Sequence, residues 1–222
     1  MSIGISILAY GDEHIKECLV LISSLKEYDL QFYIVTDKPN LFNDIPNTKI
    51  IPTNEPFNYN LKRYGLKQAL ENNDCVVMMD TDMYIKKGVD FTSLENINDG
   101  LYIRWRNVVN KKTTLSSEVE YDYIDKIKEI SNIQELFFID ESTLVFKTKN
   151  KDIKKNIIQY WNQFYNDTLE IQPKYRNNGA VEGLLIYVSC LLSGLNVFEN
   201  KEMFQQMIHY RHETIKESKG LI

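Results

Sequence analysis

The chain has 222 residues, a net charge of -5 from 26 Lys and Arg against 31 Asp and Glu, and three cysteines. That length and an apolar content of 43% suffice to bury a sizeable core in one domain. The acidic balance, with no concentrated Lys/Arg block, argues against a duplex nucleic-acid binder, whose affinity depends on neutralising phosphates. Lys147, Lys149, Lys151, Lys154 and Lys155 read as a solvated helix start. Cys18, Cys75 and Cys190 are widely spaced in apolar segments, the pattern of reduced core thiols. The longest apolar run, Leu184 to Leu195, is too short to span a bilayer, and no basic region precedes an apolar stretch at the start of the chain. The expectation is a cytoplasmic protein without a transmembrane segment, with peripheral membrane contact and oligomeric state left open.

In chain order, Ile3 to Ala9 is a strand broken by Tyr10-Gly11-Asp12. A helix follows from about His14 to Glu27, with Ile15, Leu19, Ile22 and Leu25 on one face. Gln31 to Thr36 is the second strand, ended by Asp37-Lys38-Pro39-Asn40. Lys49 to Ile51 is a short third, and Asn60 to Asn72 is a helix feeding the run Cys75-Val76-Val77-Met78-Met79-Asp80-Thr81-Asp82. This is β-α-β-β-α-β, the start of a parallel, doubly wound α/β sheet. Further on, the pattern predicts strands at 101–105, 143–147 and 196–198 and helices at 119–130, 153–165 and 180–193. With no repeat or Pro/Gly-rich linker, one domain over 1–222 is the simpler reading, its nucleotide-binding half at about 1–90 and its sugar and acceptor half at about 91–222.

The most informative feature is the apolar run ending in Asp80 and Asp82. An apolar strand of a parallel sheet delivers the residues after it to the carboxyl rim, where open α/β folds bind ligands. Two carboxylates there, brought together by a turn after Asp80, are oxygen donors suited to Mg²⁺ or Mn²⁺. Equally, a strand ending in a polar turn accounts for the tripeptide on structural grounds alone.

The ordered set Ala9-Tyr10-Gly11-Asp12, Ile34-Val35-Thr36-Asp37, Tyr59-Asn60-Leu61-Lys62-Arg63-Tyr64 and Asp80-Thr81-Asp82 resembles the nucleotide-sugar glycosyltransferases of GT-A fold, most closely the glycogenin-like and galactosyltransferase-like group. The stretch from Lys62 through Ala69-Leu70 and Asp74 to Asp82 is the most specific part. More faintly, Ser142 to Phe146 resembles the strand after the sugar site, with Asp140-Glu141-Ser142 in place of the group's Asn/Ser-x-Gly. Asn178 to Leu185 resembles the helix start that presents an acid, and Ile208-His209-Tyr210-Arg211-His212 with Lys216 resembles the C-terminal His-aromatic…Lys segment, without its glycine and Pro-Trp.

That resemblance implies a Rossmann-like mixed central sheet flanked by helices, and a metal-dependent hexosyl transfer from a nucleotide diphosphate sugar, UDP-linked by preference. The acceptor is a carbohydrate, a lipid-linked sugar or a protein. Metal ligands would be Asp80, Asp82 and His209, with His212 the rival and Mn²⁺ favoured over Mg²⁺ by mixed oxygen and nitrogen donors. Ala9, Tyr10, Asp37, Lys62, Asp80 and Lys216 would contact the donor, Tyr10 by stacking on the base and Asp37 by accepting from base or ribose. Glu182, Asp140 and Glu141 are the candidates for a base if configuration inverts. With retention, expected for the nearest group, the leaving phosphate takes the proton and an acid orients the sugar. Trp105, Tyr160, Trp161, Tyr165 and Tyr175 are candidate sugar platforms, although a helix repeating aromatics at Tyr160, Trp161 and Phe164 is more often core. Rival readings are a haloacid-dehalogenase-type phosphatase with Asp80 as nucleophile, a sugar nucleotidyltransferase, which would need a Gly-rich loop after the first strand, and a non-catalytic carbohydrate-binding remnant.

Overall fold

The computed structural model describes residues 3–108, 118–170, 180–205 and 207–209. The first half comprises β1 (Ile3–Ala9), α1 (Gly11–Leu25), β2 (Gln31–Thr36), β3 (Thr48–Pro52), α2 (Lys62–Asn72), β4 (Cys75–Met79) and β5 (Met83–Ile85). The second comprises β6 (Gly100–Ile103), β7 (Arg106–Val108), α3 (Glu118–Ser131), β8 (Phe137–Ile139), β9 (Thr143–Lys147), α4 (Lys151–Asp167), α5 (Ala180–Leu192), β10 (Val197–Glu199) and β11 (Met207–His209).

Seven strands, drawn from both halves, form one sheet in the order β10-β6-β9-β4-β1-β2-β3. Strands β1 to β4 run parallel, as the βαβ pattern predicts. β9 is reversed, antiparallel to both β4 and β6, so the sheet is mixed. Strand alternation sorts the core into two layers. Val76, Met78, Leu144 and Phe146 face the layer built with α2, α3, α4 and α5. Cys75, Val77, Met79 and Val145 face the layer built with α1. An uncharged β4 is the consequence of burial on both sides.

Helix α2 lies close on the sheet because residue 65 is glycine: a Cβ there would stand 2.6 Å from Ser6 Oγ and 3.0 Å from Val35 Cγ2. As a crossover helix leading back into β4, α2 begins at the rim where β4 ends, which sets Lys62 beside Asp80. Helix α1 starts at Gly11, earlier than periodicity suggests. Gly11 takes a positive φ of 76°, and its N–H is capped not by a local residue but by Asp37 Oδ1 at 2.9 Å.

Some expectations need correction. The strand predicted to 105 ends at Ile103, with a bend at Arg104. The helix predicted from Asn60 opens with a 3₁₀ turn over Tyr59–Leu61. Lys147 and Lys154 are not solvated: Lys147 is buried and its Nζ donates to the Glu95 carbonyl, and Lys154 bonds Asp74 and the Asn73 carbonyl, both at 2.8 Å. Trp161 is a core residue donating to Asn60 Oδ1 at 2.9 Å, Tyr160 stacks on Phe164 and Tyr165 lies under the Arg63 guanidinium. Tyr175 lies outside the described residues. The three cysteines are buried and free. No described helix is long and apolar enough to cross a membrane.

Candidate functional site

The carboxyl ends of β1, β2 and β4 meet on one rim, as parallel pairing in register requires. Ala9 is the buried last residue of β1. Past β4 the chain turns, with the Met83 N–H directed to the Asp80 carbonyl at 3.4 Å. Asp80, Thr81 and Asp82 line a cleft together with Leu8, His14, Phe57, Tyr59 and Lys62.

Lys62 is the hub of this rim. It is 3% exposed, yet its ammonium donates to Asp80 Oδ1 at 2.5 Å and to Glu182 Oε1. Glu182, in the first turn of α5 and 1% exposed, stands 120 positions away in sequence from the lysine that binds it. Its second oxygen has no hydrogen-bond partner among the described residues. Glu141 packs its Oε2 against Gly183, 3.1 Å from where a Cβ would be, and joins Asp80 in the field around Lys62. Three carboxylates therefore surround one ammonium.

Burial alone would pull the Lys62 ammonium toward neutrality, but Asp80 and Glu182 outweigh it and hold the group charged. The acids move the other way. Burial drives Glu182 well above the carboxylate range, and Glu141 and Asp80 add to it against the pull of Lys62. Glu141 is pushed by burial from 4.5 to about 7, with Lys62 again opposing. At neutral pH this rim holds a fixed Lys62 cation and a partly ionised Glu141, while burial favours the protonated form of Glu182 against the pull of Lys62.

The remaining sequence candidates divide between this cluster and structural tasks. Asp37 spends one oxygen on Gly11. Tyr10 donates its hydroxyl to the Glu55 carbonyl at 3.1 Å and packs its ring on Phe57. Asp140 Oδ1 accepts from the Ser142 N–H at 3.1 Å and hydroxyl at 2.6 Å, an Asx turn at the start of β9. His209 lies in β11, whose antiparallel register sets it opposite Met83, the residue after Asp82. His212 and Lys216 lie outside the described residues.

Sequence reading missed three contributors. Phe57 is 41% exposed and lies between Tyr10, His14 and Tyr59, forming an aromatic wall. His14 Nδ1 sits 3.2 Å from both Glu17 Oε2 and Thr81 Oγ1, and Thr81 donates to Glu17 at 2.8 Å. The spacing of His14 and Glu17 on α1 was the available signal, but it says nothing of Thr81.

The donors at the rim suit a divalent cation. Asp80 and Asp82 are hard oxygen ligands on one turn, and Mg²⁺-type ions are commonly held by one or two carboxylates with substrate phosphates completing the shell. Among the described residues there is no group of three or more His, Cys, Asp or Glu side chains that could hold a metal ion. Compared with protein-family models and with curated proteins, the chain gives no match.

Proposed function

We propose that the protein is a metal-dependent glycosyltransferase of GT-A type, moving a hexose from a nucleotide diphosphate sugar, UDP-linked by preference, to an acceptor hydroxyl. The observation that carries this reading is the buried Lys62, which ties Asp80 of the Asp-Thr-Asp turn to Glu182 at the rim of parallel strands. The reversed β9 within an otherwise parallel sheet supports it, since a mixed central sheet is what the sequence resemblance implies.

Asp80 and Asp82 would hold a Mn²⁺ or Mg²⁺ ion, which when bound would supply Lewis-acid stabilisation of charge on a diphosphate leaving group. Lys62 orients the Asp80 carboxylate and adds a fixed positive charge beside it. Phe57 and Tyr59 shield the cleft from water on the side of the aromatic wall. Glu182, buried and accepting from the Lys62 ammonium, fixes that cation beside Asp80. Of the three acids considered as a base, Glu141 is best tuned, because a value of about 7 matches neutral operation. Asp140 has one oxygen committed to Ser142. Under retention, Glu141 and Glu182 orient the sugar while the leaving oxygen takes the acceptor proton.

The test is hydrolysis of UDP-sugars in the absence of acceptor, with Mn²⁺ and with chelator. Metal-dependent release of UDP that disappears in Asp82→Asn supports the reading. Release of phosphate from phosphomonoesters, with beryllium fluoride trapped on Asp80, would replace it with the phosphatase.

A further inference from the structure

Of the four described aromatic residues that sequence offers as sugar platforms, Trp105 alone has an open ring, 38% exposed. It stands in the connection from β6 to β7, between Arg104 and Arg106. Arg104 is half exposed, with its Nη1 only loosely paired to Asp140 Oδ2 at 3.9 Å. Arg106 is exposed and its guanidinium lies over the Phe137 ring, 4.5 Å from the centroid. In a chain with a net charge of -5, two arginines thus flank the exposed tryptophan in sequence.

Backbone hydrogen bonds fix where this platform lies relative to the cleft. The Asp140 N–H donates to the Trp105 carbonyl at 3.1 Å, and the Asp80 N–H donates to the Ser142 carbonyl at 2.9 Å. From the Asp140 nitrogen to the Ser142 carbonyl is at most about 10 Å of extended chain, so the Trp105 carbonyl and the Asp80 nitrogen lie within about 16 Å. Glu141 stands between them.

We propose that Trp105 and Arg104 bind a saccharide that carries an anionic group, a phosphate or a carboxylate, next to a sugar ring. An exposed indole offers an apolar face to the C–H side of a sugar, and a guanidinium fork matches the paired oxygens of carboxylate or phosphate. A neutral glycan would use the ring and leave the arginine idle. In the transferase reading, on which this assignment of role rests, the bound molecule is the acceptor. The binding itself does not depend on that reading.

Fluorescence tests it without nucleotide or metal. The protein has two tryptophans, and Trp161 is fully buried, so a saccharide-dependent change reports Trp105. Titrations use glucose, glucose 6-phosphate, glucuronate and inorganic phosphate. The expected result is quenching by glucose 6-phosphate or glucuronate with a Kd at least about tenfold below that of glucose and of phosphate alone. The stronger of the two names the anion. Arg104→Gln should bring the anionic sugars to the level of glucose, and calorimetry on Trp105→Ala should show about tenfold weaker binding. Equal midpoints for charged and neutral sugars, an unchanged preference in Arg104→Gln, or no response to any probe would overturn the proposal. Because UDP and Mn²⁺ are absent from these titrations, failure of the transferase reading is scored separately.

Discussion

Glu141→Gln isolates the electrostatic tension at the rim. The variant keeps the shape of the side chain and removes its ionisation. A carboxyl whose folded pKa is raised contributes stability that is complete below its unfolded value and is lost as pH rises through the folded value. For Glu141 that window runs from 4.5 to about 7. At about 1.4 kcal/mol per pH unit, the wild type should lose about 3 kcal/mol across it from this group. The value is an upper figure, since Glu141 retains some contact with solvent. Relieving Glu182 of a neighbouring charge works in the same direction. Urea unfolding of both proteins from pH 4.5 to 8, monitored by circular dichroism, should show near-equal stability at the acid end and a variant about 3 kcal/mol more stable at the alkaline end. A difference that stays flat across the range would refute the claim that burial, opposed by Lys62, sets the state of Glu141.

Lys62→Met removes the donor shared by Asp80 and Glu182 and should cost about 1–3 kcal/mol by the same unfolding assay. Gly65→Ala drives a methyl into Ser6 Oγ and Val35 and should destabilise by about 1–3 kcal/mol, read as a lower urea midpoint. Thr81→Val removes the hydroxyl that joins His14 and Glu17 to the Asp-Thr-Asp turn. It should raise the Mn²⁺ concentration needed for UDP binding several-fold while costing about 1–2 kcal/mol of stability, with calorimetry reading the first and unfolding the second.

The parallel half of the fold was legible in the sequence because its strands are buried on both faces. Uninterrupted apolar runs such as 75–79 have few alternative readings. The start of α1 was not legible, since its first N–H is satisfied by Asp37 from another strand, a cap that no local pattern announces. The three-residue strands β5, β7, β8 and β11 fall below the length at which alternation is detectable. At the site, Asp80 and Asp82 could be found from their place after a strand. The buried state of Lys62 could not, because Glu182, which with Asp80 holds its ammonium, comes from the far half of the chain. A lysine at a helix start reads as solvated until that partner is known. Trp161, in a helix that repeats aromatics, reads as core and is buried, whereas no pattern around Trp105 announces its open ring.

The most direct test of a cation held at the Asp-Thr-Asp turn is a calorimetric titration of UDP into the wild type and Asp82→Asn, each with Mn²⁺ and with chelator. Metal-dependent binding to the wild type is the expected result, weakened at least about tenfold, or roughly 1.4 kcal/mol, by the substitution. Binding of equal strength with and without Mn²⁺, or equal in both proteins, would contradict it.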